Sequence, residues 1–240
     1  MAGHSKWANI RHRKWAQDKK KAKIFTKIAR EITISARIGG GDITANSRLR
    51  KAVSNAKSSN MGSDKIDRAI KKGTGDIEGV IYEEIVYEGY SPGGAAIILN
   101  VITDNRNRSV ADIRNTFNKH NGNLGESGSV SWMFDIKGQI IMASNSFDEN
   151  KIFEILIELG AEDFIENEEF YVVRTSSNDF MRIRDSMESI GCAIRSAEIA
   201  MVPKNFQKLN ELDTDLTLRL LDSLDDNDDV NKIYTNFDYS

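Results

Sequence analysis

The hydrophobic periodicity of this 240-residue chain changes at Gly73-Thr74-Gly75. Before this point, apolar residues recur at helical spacing. After it, short runs rich in β-branched and aromatic residues alternate with helical segments. A segment with one of these periods does not form the other element stably. The chain must therefore join an all-helical N-terminal part to a remainder that contains sheets.

Residues 17–72 predict three helices. The first covers 17–37 and ends before Gly39-Gly40-Gly41, because glycine disfavours a helix interior and supplies left-handed turn geometry. Asn46 or Ser47 is expected to cap the second helix and Ser63 the third, since short oxygen-bearing side chains accept hydrogen bonds from first-turn N–H groups.

Several short strands are predicted after residue 75. Tyr82–Tyr90 and Ala95–Thr103 indicate a hairpin, which a helix at 107–119 follows. The order from 131 to 203 is β-α-β-β-α-β, typical of a ferredoxin-like sheet. The remaining predicted elements are strands at Val130–Phe134, Gln139–Ala143, 163–166, 169–174 and 194–202, helices at 148–159, 178–190 and 214–225, and a strand at 230–237.

These elements predict an α+β multidomain fold, in which an N-terminal three-helix domain precedes two small interlocked α/β sheet domains of ferredoxin-like type. Residues 1–75 are expected to form the basic helical domain. Residues 76–130 with 204–240 are expected to form a discontinuous α/β domain, because the last helix and strand need the hairpin sheet as a partner. Residues 131–203 are then an inserted ferredoxin-like domain.

Charge is divided unequally along the chain, although the formal net charge is only −3. Residues 1–75 contain 19 Lys and Arg against 5 Asp and Glu, whereas residues 76–240 contain 14 against 31. Such asymmetry indicates binding to nucleic acid or another acidic surface. Attraction between the basic and acidic parts of the same molecule is the alternative explanation.

The basic residues at the N-terminus are also sorted in space. On the first helix the apolar residues occupy one side, and the cations occupy a sector roughly opposite. Cations bind phosphate by charge and by counterion release. Trp7 and Trp15 either stack on exposed bases or pack within the protein. The candidate nucleic-acid-binding residues here are His4, Lys6, Trp7, Arg11, His12, Arg13, Lys14, Lys19, Lys20, Lys23, Lys27 and Arg30.

A second basic spot lies in the acidic part of the chain. The segment Asp104–Arg108 marks a strand-to-helix turn, and helix N-termini favour anions. Arg106 and Arg108 are therefore further candidates for phosphate contact. The alternative is that charged residues there only fix the turn.

Other function classes find little support in the sequence. No phosphate-binding glycine loop, nucleophile elbow or metal-ligand spacing is present, so neither catalysis, a cofactor nor a metal is expected. Cys192, the single cysteine, is expected in a core rather than as a nucleophile. No secretory signal or membrane-spanning run is seen, so a cytoplasmic protein is expected.

Several motifs resemble the YebC/PmpR family over essentially the whole chain. They are MAGHSKWANIRHRK at 1–14, AKIFTK at 22–27, TDNRNR at 103–108, GNLGESGSVSWMF at 122–134, DSLDDNDDV at 222–230 and IYTNFD at 233–238. The resemblance implies a three-domain fold. It also points to the N-terminal arm from His4 to Lys14, and to Arg106 and Arg108, as functional positions.

The resemblance implies two possible functions. Members are usually described as probable transcriptional regulators that bind DNA, which is the leading expectation here. Related mitochondrial translational activators act instead at the ribosome, where they ease synthesis through stretches such as consecutive prolines. A helix-turn-helix built from the second and third helices, joined by the Ser58–Gly62 connection, would favour DNA. A flexible cationic arm suits irregular RNA equally well.

Overall fold

The structure is a computed structural model that describes residues 19–143, 149–166 and 170–238. The described chain forms two compact units. The first unit combines the residues up to Ser131 with those from Phe206 onward, and the second comprises Trp132–Asn205.

Three helices begin the first unit: α1 (Lys19–Gly39), α2 (Ser47–Ser58) and α3 (Ser63–Thr74). Asn46 caps α2 by accepting a hydrogen bond from the Leu49 N–H. Of the two predicted caps of this helix, Asn46 and Ser47, the structure has Asn46. The prediction that Ser63 caps α3 is wrong, because Gly62 occupies the N-cap position without a side-chain bond. The three helices enclose a core that includes Ile32, Ala36, Leu49, Ala52, Val53, Ala56, Met61, Ile66 and Ala69.

Helices α1 and α3 run parallel and approach closely. The Thr33 hydroxyl donates to the Ala69 carbonyl at 3.1 Å. A Cβ at Gly73 would lie 2.3 Å from the Thr33 carbonyl oxygen and 2.7 Å from the Ala36 Cβ. Glycine at position 73 is therefore required for this approach.

A four-stranded antiparallel sheet completes the first unit, in the order β3-β1-β2-β9. Its strands are β1 (Glu83–Tyr90), β2 (Ala96–Thr103), β3 (Asn123–Leu124) and β9 (Val230–Thr235), where the numbers follow chain order. Helices α4 (Arg106–Lys119) and α7 (Glu211–Asp225) contribute to a shared core with one face of the sheet. A short parallel pair joins β8 (Gln207–Lys208), which precedes α7, to β10 (Phe237–Asp238), which follows β9.

The loop after β3 folds around the buried carboxylate of Glu88. That carboxylate accepts hydrogen bonds from the backbone N–H groups of Gly128, Val130 and Ser131 at 2.7–2.8 Å. Burial alone would raise the pKa of Glu88, but these hydrogen bonds lower it below its usual value. The prediction of a strand at Val130–Phe134 is correct only for Phe134, which begins the next strand. Ser131–Met133 form a short 3-10 helix instead, and the N–H groups of Val130 and Ser131 bind Glu88 rather than a neighbouring strand.

The second unit contains an antiparallel sheet in the order β5-β6-β4-β7. Its elements are β4 (Phe134–Ala143), α5 (Glu149–Glu158), β5 (Asp163–Glu166), β6 (Phe170–Ser176), α6 (Phe180–Ser189) and β7 (Ile194–Pro203). This is the β-α-β-β-α-β order with the ferredoxin-like strand arrangement. Residues of α5 and α6 pack against the sheet around Ile140, Met142 and Val173.

The separate strand predicted at Gln139–Ala143 is instead the C-terminal half of β4, which runs through Gly138. A Cβ there would lie 2.2 Å from the Thr175 hydroxyl and 2.6 Å from the Phe180 ring. Gly138 therefore allows close packing within a strand rather than ending one.

The predicted fold class is confirmed: three N-terminal helices precede sheet-containing parts, and the architecture is α+β. Cys192 is buried, and burial raises the pKa of its thiol. The division of the chain into independently folding domains with the boundaries given above stays a prediction.

Replacing Glu88 with Gln is expected to lower the free energy of unfolding by about 2–3 kcal/mol at neutral pH, because buried N–H donors lose a charged acceptor. Urea denaturation measures the change. The pKa of Glu88 is lower in the folded than in the unfolded state. Its contribution is therefore present above the unfolded-state pKa and is lost as the pH falls through the folded-state pKa.

The matched control is Glu83→Gln, at an exposed glutamate of the same strand. We expect the two variants to differ at pH 7 and to converge in acid. Equal stabilities at pH 7 would contradict the structural role assigned to Glu88.

Candidate nucleic-acid interface

The candidate residues of the N-terminal arm lie outside the described residues. These are His4, Lys6, Trp7, Arg11, His12, Arg13 and Lys14. The backbones of Lys19 and Lys20 form the start of α1, and their side chains are not described. The structure therefore places side chains for Lys23, Lys27, Arg30, Arg106 and Arg108.

The described part of the basic stripe on α1 faces the C-terminus of α7. Lys23 Nζ donates to the Asp226 carbonyl at 2.8 Å. Lys27 Nζ donates to the Asp225 carbonyl at 2.6 Å, and lies 3.6 Å from an oxygen of the Asp225 carboxylate. The last carbonyls of a helix have no partner within the helix and carry partial negative charge. The two lysines complement the C-terminal end of α7.

Arg30 continues this contact one turn further along α1. Its Nη1 donates to the Asp228 carbonyl at 2.6 Å and to Asp229 Oδ1 at 2.7 Å. The guanidinium also lies 5.5 Å from the centre of the Tyr82 ring. The Arg30 and Asp229 side chains are only 14% and 6% exposed, so this ion pair is buried.

Asp229 also binds Arg108, which belongs to the second basic region predicted from the sequence. Arg108 Nη2 lies 3.1 Å from Asp229 Oδ2 and 2.7 Å from Asp104 Oδ1. The hydroxyls of Ser109 and Thr103 donate to Asp229 Oδ2 at 2.5 and 3.2 Å. The two basic regions of the sequence thus meet at one carboxylate.

The surroundings of Asp229 favour its ionised form. Burial alone would raise the pKa of this carboxyl, but hydrogen bonds from Ser109 and Arg108 and the charges of Arg30 and Arg108 lower it. The site is a filled ion-pair cluster rather than an open anion site.

Arg106 is placed differently from Arg108. It is exposed at the first position of α4, whose N-cap is Asn105. Burial raises the pKa of the Tyr87 hydroxyl, and the nearby charge of Arg106 opposes that rise. Arg106 therefore lies beside Tyr87 and remains accessible to an anion, whereas Arg108 is engaged by carboxylates.

Other cations of the helical segment also have internal partners. Arg48 bridges Glu31 of α1, at 2.8 Å, and Glu84 of β1, at 2.8 Å. Asn231 and Asn100 donate to the same two carboxylates. Arg37 donates to the Tyr82 carbonyl at 2.8 Å.

Helix α3 carries cations that the sequence interpretation missed. Lys65, Arg68 and Lys71 are exposed, and Lys72 is half-buried. Within residues 19–143, 149–166 and 170–238, none of the four has a carboxylate oxygen within 4.0 Å. The spacing of three or four residues between these cations is the sequence signal that could have identified a basic face on α3.

No group of three or more metal-ligating side chains occurs among the residues whose structure is described. In the same residues, no helix combines the length and the apolar character needed to cross a membrane.

Comparison with known proteins gives consistent matches along the chain. Residues 5–76 match the N-terminal domain of the TACO1/YebC protein, and residues 82–237 match the TACO1/YebC second and third domain. A probable transcriptional regulatory protein from Geobacter sulfurreducens is 52% identical over 240 residues, covering 100% of this chain and 97% of that protein. One from Syntrophotalea carbinolica is 53% identical, covering 100% and 96%.

A solved structure is also similar. The crystal structure of a conserved hypothetical protein, Aq1575 from Aquifex aeolicus, matches with a TM-score of 0.84 and 39% sequence identity, covering 93% of this chain and 96% of that one. With two family models that together span residues 5–76 and 82–237, and full-length relatives above 50% identity, this chain belongs to the TACO1/YebC family.

Proposed function

We propose that this chain is a non-enzymatic regulator of gene expression that binds nucleic acid through its basic N-terminal segment. The observation that carries the proposal is the surplus of positive charge in residues 1–75. Among the described side chains of this segment, those of Lys65, Arg68, Lys71 and Lys72 have no carboxylate oxygen within 4.0 Å.

DNA is the first candidate target, and transcription the first candidate process. The related proteins named above are called probable transcriptional regulatory proteins. Helices α2 and α3 are joined by a short connection in which Met61 is buried, and Asn60 has a φ of 59°. A compact connection of this kind is compatible with a helix-turn-helix. A cytoplasmic location is part of this proposal.

Structured RNA on the ribosome is the second candidate, and one observation favours it. A recognition helix reads base edges in the major groove with residues near its N-terminus. In α3 those positions include the exposed carboxylates of Asp64 and Asp67. Carboxylates repel the phosphates that flank the groove and can accept hydrogen bonds only from base amino groups, chiefly that of cytosine. Insertion of this end of α3 into a DNA major groove is therefore disfavoured, whereas backbone contact with structured RNA through the cations of α3 does not require it.

In-cell crosslinking, followed by sequencing of both DNA and RNA partners, tests the function and separates the two targets. Sedimentation of lysates with and without translating ribosomes accompanies it. Discrete promoter peaks without ribosomal RNA support transcriptional regulation. Crosslinks to ribosomal RNA with cosedimentation support a translation factor. The absence of crosslinks to either nucleic acid would refute both.

Replacing the four arm cations Lys6, Arg11, Arg13 and Lys14 with Ala is expected to weaken nucleic-acid binding roughly tenfold or more near physiological salt, because each lost phosphate contact removes counterion release. Fluorescence anisotropy with a labelled duplex and a labelled stem-loop RNA measures the change. The control replaces Arg195, Lys204, Lys208 and Arg219, exposed cations outside the segment, with Ala. Equal losses in both variants would argue against a specific role for the arm.

A second variant examines the stripe on α1. Replacing Lys23 and Lys27 with Gln is expected to lower the free energy of unfolding by about 1 kcal/mol, because both lysines contact the C-terminal end of α7. Urea denaturation is the measurement. The control replaces Lys57 and Lys71, which are exposed, with Gln. Unchanged stability together with a binding loss equal to that of the arm variant would show that Lys23 and Lys27 act on nucleic acid instead.

A further inference from the structure

Three cations of α3 lie on one ridge of the helix. Lys65, Arg68 and Lys72 are spaced i, i+3 and i+7. At 3.6 residues per turn they fall within a sector of about 60°, and the ridge extends about 10 Å along the helix axis. Ile66 and Ala69 are buried on the neighbouring sector, so the ridge borders the helical core.

The ridge lacks the internal partners that the α1 stripe has. Asp64 lies four residues before Arg68, a spacing that permits an ion pair, yet no carboxylate oxygen lies within 4.0 Å of Arg68 among the described residues. Lys65 instead places its Nζ 5.4 Å from the centre of the Phe25 ring. The stem carbons of the half-buried Lys72 lie beside Gly79.

The ridge begins beside the start of α1. Since Lys65 contacts Phe25 and the two helices run parallel, the first turn of α3 lies next to the first turns of α1. Helix α1 begins at Lys19, about 9 Å along the helix axis from Phe25. The ridge therefore begins near the end of α1 that follows the N-terminal arm in sequence.

We propose that the ridge formed by Lys65, Arg68 and Lys72 is a phosphate-contacting surface for nucleic acid, additional to the N-terminal arm. The inference rests on the proposed function and assigns residues to it that neither the motifs nor the family likeness indicated. Arg68 supplies planar bidentate geometry for a phosphate, and the two lysines supply point charges. Asp64 and Asp67 lie on the adjoining exposed face and repel phosphate, so they confine the phosphate contact to the ridge.

The test compares the wild-type protein with the triple variant K65Q/R68Q/K72Q and with the control K204Q/K208Q/R219Q. Both variants remove two lysines and one arginine, and the control positions are exposed. Binding to a 30-base-pair duplex, to a stem-loop RNA of similar length and to polyglutamate is measured by anisotropy over a range of salt concentrations. Circular dichroism and thermal melting establish that each variant is folded.

We expect the slope of log K against log salt to become shallower by about 2–3 for the duplex in the ridge variant, since each phosphate contact contributes about 0.9. The control should keep the wild-type slope. A corresponding reduction with RNA but not with DNA supports the ridge and assigns it to RNA. If the triple variant unfolds, the single variant R68Q should lower the slope by about 0.9.

Other results separate the inference from the function on which it rests. If wild-type protein binds nucleic acid and the ridge variant retains the full slope, the ridge proposal is wrong while the function stands. Loss of polyglutamate binding with unchanged nucleic-acid binding would also overturn it, in favour of an acidic protein partner. If wild-type protein binds neither nucleic acid, the function itself fails.

Discussion

The buried ion pair between Arg30 and Asp229 is the interaction on which the first unit depends. It joins α1 to the turn that precedes β9, and β9 pairs with β2 at the edge of the first sheet. The same carboxylate is held by Arg108 and Ser109 of α4. A buried carboxylate without such partners would be strongly destabilising, so the helices and the sheet must adopt this arrangement together.

This constraint divides the positive charge of the N-terminal segment into two groups. In the structure, Lys23, Lys27 and Arg30 contact the acidic segment Asp225–Asp229 of the same chain. The cations of α3 have no carboxylate within 4.0 Å in the described residues. The sequence presented internal attraction and binding of an external polyanion as alternative explanations of the positive charge. The two are compatible if the cations of α1 bind the acidic segment of the same chain and the cations of α3 bind the external polyanion.

Local signals in the sequence predicted much of the fold. Helical spacing and the cap at Asn46 predicted α2, and the strand pattern predicted the hairpin of β1 and β2. The errors have physical causes that depend on distant residues. Val130 and Ser131 bind the carboxylate of Glu88 rather than a neighbouring strand, and Gly138 accommodates the Phe180 ring instead of breaking β4.

The candidate site was less predictable than the fold. Helical periodicity separates the basic from the apolar side of α1, but it does not reveal which element covers the basic side. That depends on Asp229, which is 199 residues away from Arg30. For the same reason, the similar spacing of cations on α1 and α3 gave no indication that only one of these stripes is covered by the acidic segment.

The central claim is that positive charge at the front of the chain meets the phosphates of a nucleic acid. Equilibrium binding of the full-length wild-type protein to duplex DNA and to structured RNA, measured from about 50 to 200 mM salt, tests it most directly. We expect log K to fall linearly with log salt with a slope of about −4 or steeper for at least one of the two, as release of several counterions requires. A slope near zero for both would contradict the claim.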